Sequence, residues 1–397
     1  MTLTRVFIKP RKALPFFSRH PWVFEGAIQR VEGKPQAGQE VLVVSAEGQG
    51  IARGLYNPNS NIRVRLVTWN LDEAIDASLI RTRLSHAVDL RRRFLDLNGP
   101  GAVCRLVNSE GDSLPGITVD YYDGFLSLQV TSLAFFRRLE FIKEALLDLV
   151  KPKGIWLKCD AGINEAEGIE ASEQLLAGEK PSSIIVSEND LRYHVDLAEG
   201  QKTGFYCDQR DNRRATARYV DGGEVLDAFC YSGGFGLNAL KHGNASTVLS
   251  VDSSEPALEL TRRNAELNGL SDRVTTLRGK ALEVLTQLGE QGRSFPTVIL
   301  DPPKMVSSRG GIERGMKGYL KLNLAGLKLL PAGGILTTCS CSGHVSMEML
   351  QQMIATASTQ STRMIQILEA RGHTWDHAVS ANCPESSYLK CVICRVL

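Results

Sequence analysis

Two cysteines spaced Cys-x-Cys stand in "GGILTTCSCSG" (residues 333–343), where the run Ile335 to Thr338 meets a polar turn ending in glycine. The run reads as a buried strand, and in an α/β sheet the strand end is where loops bring polar groups to a ligand. Such a pair could bind a metal, form a redox couple, pack in the core, or be a nucleophile beside a bystander. Beside a methyl donor a thiol has one well-defined use. A pyrimidine C5 is too weak a nucleophile to take a methyl group until a thiolate adds at C6, and the addition reverses once the C5 proton leaves. Cys341, at the strand end and followed by Ser342 and Gly343, is placed for that task, whereas Cys339 lies within the strand and is expected to pack. A four-sulfur zinc site with Cys391 and Cys394 is disfavoured, because "KCVICRVL" reads as a terminal β-strand and not as the tight turn that structural zinc pairs occupy. The histidines show no ligand spacing, and the His373/His377 pair falls in an apparent loop, so no metal is expected.

Two further stretches supply what a methyl transfer needs. In "LDAFCYSGGFG" a strand carrying Asp227 runs into a turn with Gly233, Gly234 and Gly236, and 25 residues after Asp227 the strand "VLSVD" ends on Asp252, whose carboxylate suits a ribose diol. The turn is not G-x-G-x-x-G, which favours a nucleoside cofactor without a pyrophosphate, and S-adenosylmethionine fits that description. Then "VILDPPK" sets Asp301 before a loop stiffened by Pro302 and Pro303. Lys304 stands where enzymes that methylate base amines carry a stacking aromatic, which argues against amine methylation. The expected cofactor contacts are Asp227, Phe229, Tyr231, Gly233, Gly234, Gly236, Asp252, Ser253, Asp301 and Pro302. The polar stretch "EGQKTGFYCDQRDNRR" (199–214) forms a candidate lid that adds Lys202, Thr203, Gly204, Asp208, Gln209 and Arg210.

The elements that must position these groups follow from the chain's texture. From about residue 220, strand and helix patterns alternate, the signature of a doubly wound parallel sheet. One of its helices has Ser254 as N-cap, Pro256 in the first turn and Gly269 closing it. Residues 1–75 alternate short apolar runs with Gly, Pro and Asn clusters, a small β-rich domain. Residues 76–196 hold a linking helix ("DASLIRTRLSHAVDLRRRFLDLNG") and a smaller α+β unit, and 197–397 the α/β domain. Arg91 to Arg93 and the pair Arg213 and Arg214 suit either RNA phosphates or solvated helix faces, with solvation the commoner outcome. At 397 residues the chain exceeds one core's usual size. Nine cysteines, an odd number, do not make a secreted disulfide framework, so a reducing, cytoplasmic setting with free thiols is expected. The net charge of +2 neither demands nor excludes a nucleic-acid partner.

"SRHPWVFEGAI" (18–28) and "GIARGLYNPNSNIRVRL" (50–66) resemble the PUA domain, a small RNA-binding β-barrel. In order along the chain, "EGDSLPGITVD", "KTGFYCDQRDNR", "FCYSGGFG", "DPPK" and "SCSG" resemble the bacterial PUA-domain 23S ribosomal RNA cytosine-C5 methyltransferases. The resemblance implies a PUA barrel, a central α+β domain that helps hold RNA, and a Rossmann-like methyltransferase domain with a seven-stranded sheet. It further implies that Cys341 attacks C6, that Asp301 assists at N3, that Asp252 holds the cofactor ribose and that the glycine turn holds its amino-acid end. The implied partner is 23S rRNA, naked or in a partly assembled large subunit, with no membrane; the sequence leaves a homodimer open. Two departures stand out. Pro303 occupies the place of a second cysteine that related enzymes use in product release, and Gly279 and Lys280 replace an aspartate that contacts the adenine amine. Two rival readings stay open on the residues alone: a uracil-C5 RNA methyltransferase, and a non-catalytic RNA-binding assembly factor.

Overall fold

The computed structural model describes residues 3–197 and 204–397. The chain forms two compact units, one of Met1–Ile184, Val195–Gly204 and Trp375–Ser386, the other of Ile185–His194, Phe205–Thr374 and Ser387–Leu397. Among the described residues no helix is long and apolar enough to cross a membrane.

The first unit contains two sheets. Six strands between Thr4 and Thr68 form a half-barrel in which Thr4–Ile8 pairs parallel with Glu40–Val44 and the other pairings are antiparallel. Its core comes from strand positions two apart, Val6 with Ile8, Val41 with Val43, and Val64 with Leu66, so period-two patterning places one face inside. A five-stranded sheet from Val103–Asn108 to Gln174–Gly178 follows, backed by the helices Ala77–Arg92 and Leu139–Val150. The first of these starts where the Asp76 carboxylate accepts from the Leu79 N–H at 3.0 Å.

Glu167 ties the two sheets of this unit together. Its carboxylate is buried and accepts from Asn57 Nδ2 at 3.0 Å, Ser60 Oγ at 2.5 Å and Arg65 Nη2 at 2.9 Å. Arg91 is the second buried charge. Its guanidinium donates to both Asp112 oxygens, at 2.6 and 2.9 Å, and to the carbonyls of Arg105 and Asp376, at 2.9 and 2.5 Å. With no exposed surface it takes neither of the roles expected for the arginine run.

The second unit is built on seven strands: β1 (Glu224–Ala228), β2 (Thr247–Asp252), β3 (Val274–Arg278), β4 (Thr297–Leu300), β5 (Ile335–Ser340), β6 (Ile365–Arg371) and β7 (Lys390–Val396). Their spatial order is β3-β2-β1-β4-β5-β7-β6. The central strands β4 and β5 are buried along their whole length, as parallel strands covered on both faces must be. Among the described residues six helices cover the sheet: α1 (Arg210–Ala217), α2 (Gly234–His242), α3 (Glu255–Leu267), α4 (Ala281–Glu290), α5 (Ile312–Lys328) and α6 (Met347–Ser361). The sequence pattern anticipates a parallel sheet, and one strand departs from it. β7 inserts between β5 and β6 antiparallel to both. β6 escapes the sequence pattern because it is an edge strand with mostly exposed or half-exposed side chains, and so has no apolar alternation to read.

A hairpin of Ile184–Glu188 and Leu191–Val195 turns on Asn189 and Asp190, both at positive φ (51° and 58°), which matches the twist of a two-residue hairpin turn. Asn189 Nδ2 then donates to the Arg210 carbonyl and to Asn238 Oδ1, each at 3.0 Å, tying the hairpin to the start of α1 and the middle of α2.

Removing the Glu167 carboxylate would strand Arg65 without its charge partner in a buried site. Glu167→Ala is therefore expected to destabilise the first unit by about 3–5 kcal/mol, measured as a lowered urea midpoint of its unfolding transition.

Candidate active site

The turn after β1 is held in an unusual backbone conformation. Phe229, Tyr231 and Gly233 have φ of 67°, 48° and 78°, a left-handed geometry that non-glycine residues adopt only where the surroundings enforce it. The enforcement is visible. Phe229 and Cys230 donate their N–H groups to the Val251 carbonyl, at 2.8 and 3.1 Å, and Asp227 Oδ2 accepts from the Gly236 N–H at 2.9 Å. Asp227 is 1% exposed, and burial pushes its carboxyl up to about 7 despite the opposing Gly236 hydrogen bond. Its place is thus beneath the turn, orienting α2. A Cβ at Gly236 would come within 2.7 Å of Val248 Cγ1, so glycine is needed for close approach there.

Asp252 ends β2 half-buried. Its Oδ2 accepts from the Tyr231 N–H at 3.1 Å and its Oδ1 from the Ser254 N–H at 2.9 Å, so the carboxylate is pre-oriented at the strand end. Ser253 is exposed beside it, and Ser254 caps α3 as its spacing predicts. At the end of β3, the Gly279 N–H donates to the Asp252 carbonyl at 3.0 Å, while Lys280 is turned to solvent with Glu283.

The third strand end joins Asp301 to Cys341. Cys341 follows β5 directly, is partly exposed, and its Sγ lies 3.9 Å from the Pro302 carbonyl it donates to. A hydroxyl network fixes the residues on either side of it. Ser340 Oγ donates to the Tyr319 hydroxyl at 2.9 Å, Tyr319 and Ser342 hydroxyls are 3.1 Å apart, and Ser342 Oγ accepts from the Val306 N–H at 3.1 Å. Cys339 is fully buried opposite Cys391, and burial holds its thiol well above the ordinary range, so it stays protonated and inert. Cys391 and Cys394 lie three apart on β7, hence on opposite faces, and the four sulfurs do not converge. Pro303 and Lys304 are exposed on the loop beyond Asp301.

The stretch after residue 204 covers this site. Gln209 Nε2 donates to Asp301 Oδ1 at 3.1 Å, its orientation set by Asn212 Nδ2, which donates to Gln209 Oε1 at 2.7 Å. Tyr206 packs edge-on to Tyr231, ring centroids 5.1 Å apart, and burial raises its phenol so that it remains an O–H. Asp208 accepts from the Tyr388 hydroxyl at 2.7 Å through Oδ2, while Oδ1 is buried without a hydrogen-bond partner. Such an orphaned carboxylate oxygen suits a cationic group, and S-adenosylmethionine carries an ammonium. With the diol-ready Asp252, the residues present fit that cofactor. Lys202 and Thr203 lie outside the described residues. Gly204, at φ 113°, packs against Val195 and Leu197.

Sequence reasoning missed several participants. Arg213 is buried, donating to Glu188 Oε1 at 2.6 Å and to the Tyr206 carbonyl at 2.9 Å, so it shapes the cover instead of meeting phosphate or water. Tyr319 and Lys390 carry no motif; the available signal was a lone lysine opening the apolar run of β7. Elsewhere, His20 Nε2, Cys383 Sγ and Glu385 Oε2 approach one another. His20 Nδ1 accepts from the Trp22 N–H at 3.3 Å, which puts the ring proton on Nε2 facing Glu385 and links the three residues by hydrogen bonds.

Residues 6–69 match the PUA-like domain family, and residues 163–382 match the family described as S-adenosylmethionine-dependent methyltransferase. A Streptococcus mutans structure, described as that of a SAM-dependent methyltransferase, superposes over 100% of both chains with a TM-score of 0.85 at 20% identity. A second methyltransferase structure with the same TM-score, at 19% identity, is complexed with SAH. Fold and site together define an S-adenosylmethionine-dependent methyltransferase with an N-terminal PUA-like domain. The protein named ribosomal RNA large subunit methyltransferase I is 36% identical in Pseudoalteromonas atlantica, across 99% of this chain and 100% of that one. In Shigella dysenteriae serotype 1 it is 38% identical across 100% of both. The chain belongs to this family.

Asp227 yields a pH test. Its native carboxyl titrates near 7 and an unfolded one near 3.9, so the native state binds the proton more tightly. Its contribution to stability is full below about pH 4 and is lost as pH rises to about 7. Urea unfolding at stepped pH should show the stability difference between wild type and Asp227→Asn falling across that window; a flat difference would contradict the protonated buried carboxyl.

Proposed function

We propose that this protein methylates C5 of a cytosine in the 23S rRNA of the large ribosomal subunit, naked or partly assembled, with Cys341 as a covalent nucleophile. The observation that carries the reading is the pairing of a partly exposed strand-end thiol with the Asp301-Pro302 loop, next to a second, fully buried and inert thiol. The names of the relatives support the large-subunit RNA substrate. In this reading residues 1–75 are a PUA domain that binds RNA, 76–196 a central domain that assists it, and 197–397 the catalytic domain, working in the cytoplasm.

Bound S-adenosylmethionine would supply an electrophilic methyl group on a sulfonium centre. Asp252 would accept both ribose hydroxyls, Asp208 would face the ammonium, and the turn from Phe229 to Gly236 would line the methionine end. The Cys341 thiolate adds to C6 of the cytosine and the displaced electron pair makes C5 enamine-like, while Asp301, held by Gln209, donates a carboxyl proton to N3 and takes it back when the C6–S bond breaks. After C5 is methylated, its proton leaves to a base or water, the electrons return, and the C6–S bond breaks to regenerate the thiolate. With Pro303 in the place of a second cysteine, that proton does not go to a thiol at this position. Since C6 is shielded in a duplex, the target base is expected unpaired or flipped out.

Nucleoside mass spectrometry of 23S rRNA incubated with the protein and labelled S-adenosylmethionine tests this. Labelled 5-methylcytidine is expected, falling below detection with Cys341→Ala and persisting with Cys339→Ala. Labelled 5-methyluridine, or methyl transfer that survives Cys341→Ala, would overturn it. Separately, Asp252→Ala should weaken S-adenosylmethionine binding at least about tenfold by calorimetry, the loss of two charge-assisted hydrogen bonds.

A further inference from the structure

Lys390 is buried, 4% exposed, at the start of β7, opposite Ser340. Its ammonium donates to the Ser342 carbonyl at 2.7 Å and to the Tyr388 carbonyl at 2.8 Å. The lysine therefore brackets the nucleophile: its backbone pairs with the residue before Cys341, and its head group binds the residue after. Buried lysines ordinarily have a carboxylate partner. Among the described residues Lys390 makes no salt bridge, and the charge that acts on its ammonium is that of Cys341, which favours the charged form. Burial outweighs it and brings the amine down to about 8, which leaves it mostly cationic at neutral pH.

Other ionisable groups of the described residues also face this strand end. Asp301 on the loop after β4 and Asp208 on the covering stretch are carboxyl groups and supply no positive charge. Tyr206 and Tyr319 are held neutral by burial, as is Cys339 beside Cys391. Lys304 is exposed to water on the loop of Asp301.

Resting on the reading of Cys341 as nucleophile, we propose that Lys390 is a positioning residue for the methyl transfer: its buried ammonium stabilises the Cys341 thiolate and clamps the Ser342 carbonyl so that the sulfur stays at the strand end. Among the described residues no buried carboxylate neutralises this cation, so its field is left for the anion that catalysis creates there.

The test is the pH dependence of Cys341 alkylation by iodoacetamide in the full chain, read on the Cys341 peptide by mass spectrometry. Lys390→Gln keeps an N–H donor for the carbonyls without the charge, Lys390→Met removes both, and Lys390→Arg keeps the charge. The midpoint of alkylation should rise by a unit or more in Lys390→Gln and Lys390→Met, seen as about tenfold slower modification at pH 7, and should stay near wild type in Lys390→Arg. An unchanged midpoint in Lys390→Gln, with thermal unfolding like wild type, would overturn the proposal; should one uncharged variant fail to fold, the other decides. The readout needs no methyl transfer. Failure here leaves the Cys341→Ala result standing, and methyl transfer that survives Cys341→Ala refutes the nucleophile without touching the alkylation profile.

Discussion

The antiparallel register between β5 and β7 is the constraint on which the site depends. It sets Cys339 opposite Cys391 and Ser340 opposite Lys390, so that the strand's last full position is sealed and the next residue, Cys341, emerges where the sheet ends. A slip of one residue would turn every side chain to the other face and take Cys341 away from the position where it emerges. The register is protected by what flanks it. β5 is covered along its whole length, and Tyr319 of α5 reaches both Ser340 and Ser342 with one hydroxyl. A single aromatic residue thus spans Cys341, and neither serine can move without breaking a buried hydrogen bond.

The same economy governs the turn after β1. Two aromatic residues stand there at positive φ where glycine would be unstrained. Their rings give the turn a purpose that glycine could not serve, since Tyr231 meets Tyr206 from the covering stretch. The strain is opposed by the hydrogen bonds of the Val251 carbonyl and the Asp227 carboxyl beneath the turn.

Much of this was legible in the residues. Strand ends announced themselves through apolar runs that stop at Asp252, Asp301 and Cys341, because a parallel sheet buries its strands and leaves polar groups to the loops. The helix start at Ser254 was equally plain. What escaped was of two kinds. β6 is an edge strand without period-two burial, and its pairing with β7 depends on partners distant in the chain. Buried charges escaped as well. Arg91 and Arg213 read as surface cations, since composition cannot show that Asp112 or Glu188 will fold against them. Asp227 looked like a ligand group because its motif sits beside the cofactor turn, yet only the fold shows that it faces inward.

The path of the chain between its two units bears on how the protein is made. Segment Trp375–Ser386, written in the sequence after six strands of the methyltransferase sheet, belongs to the first unit, where the Asp376 carbonyl receives Arg91 and its carboxylate receives the Arg105 N–H. During synthesis from the amino terminus, Arg91 emerges nearly 300 residues before that partner. The N-terminal sheets can form early, but the pocket around Arg91 stays open until Asp376 has been translated. Folding of the first unit is therefore completed by a segment made far later, and a nascent chain truncated before residue 375 lacks a structural piece of its own beginning.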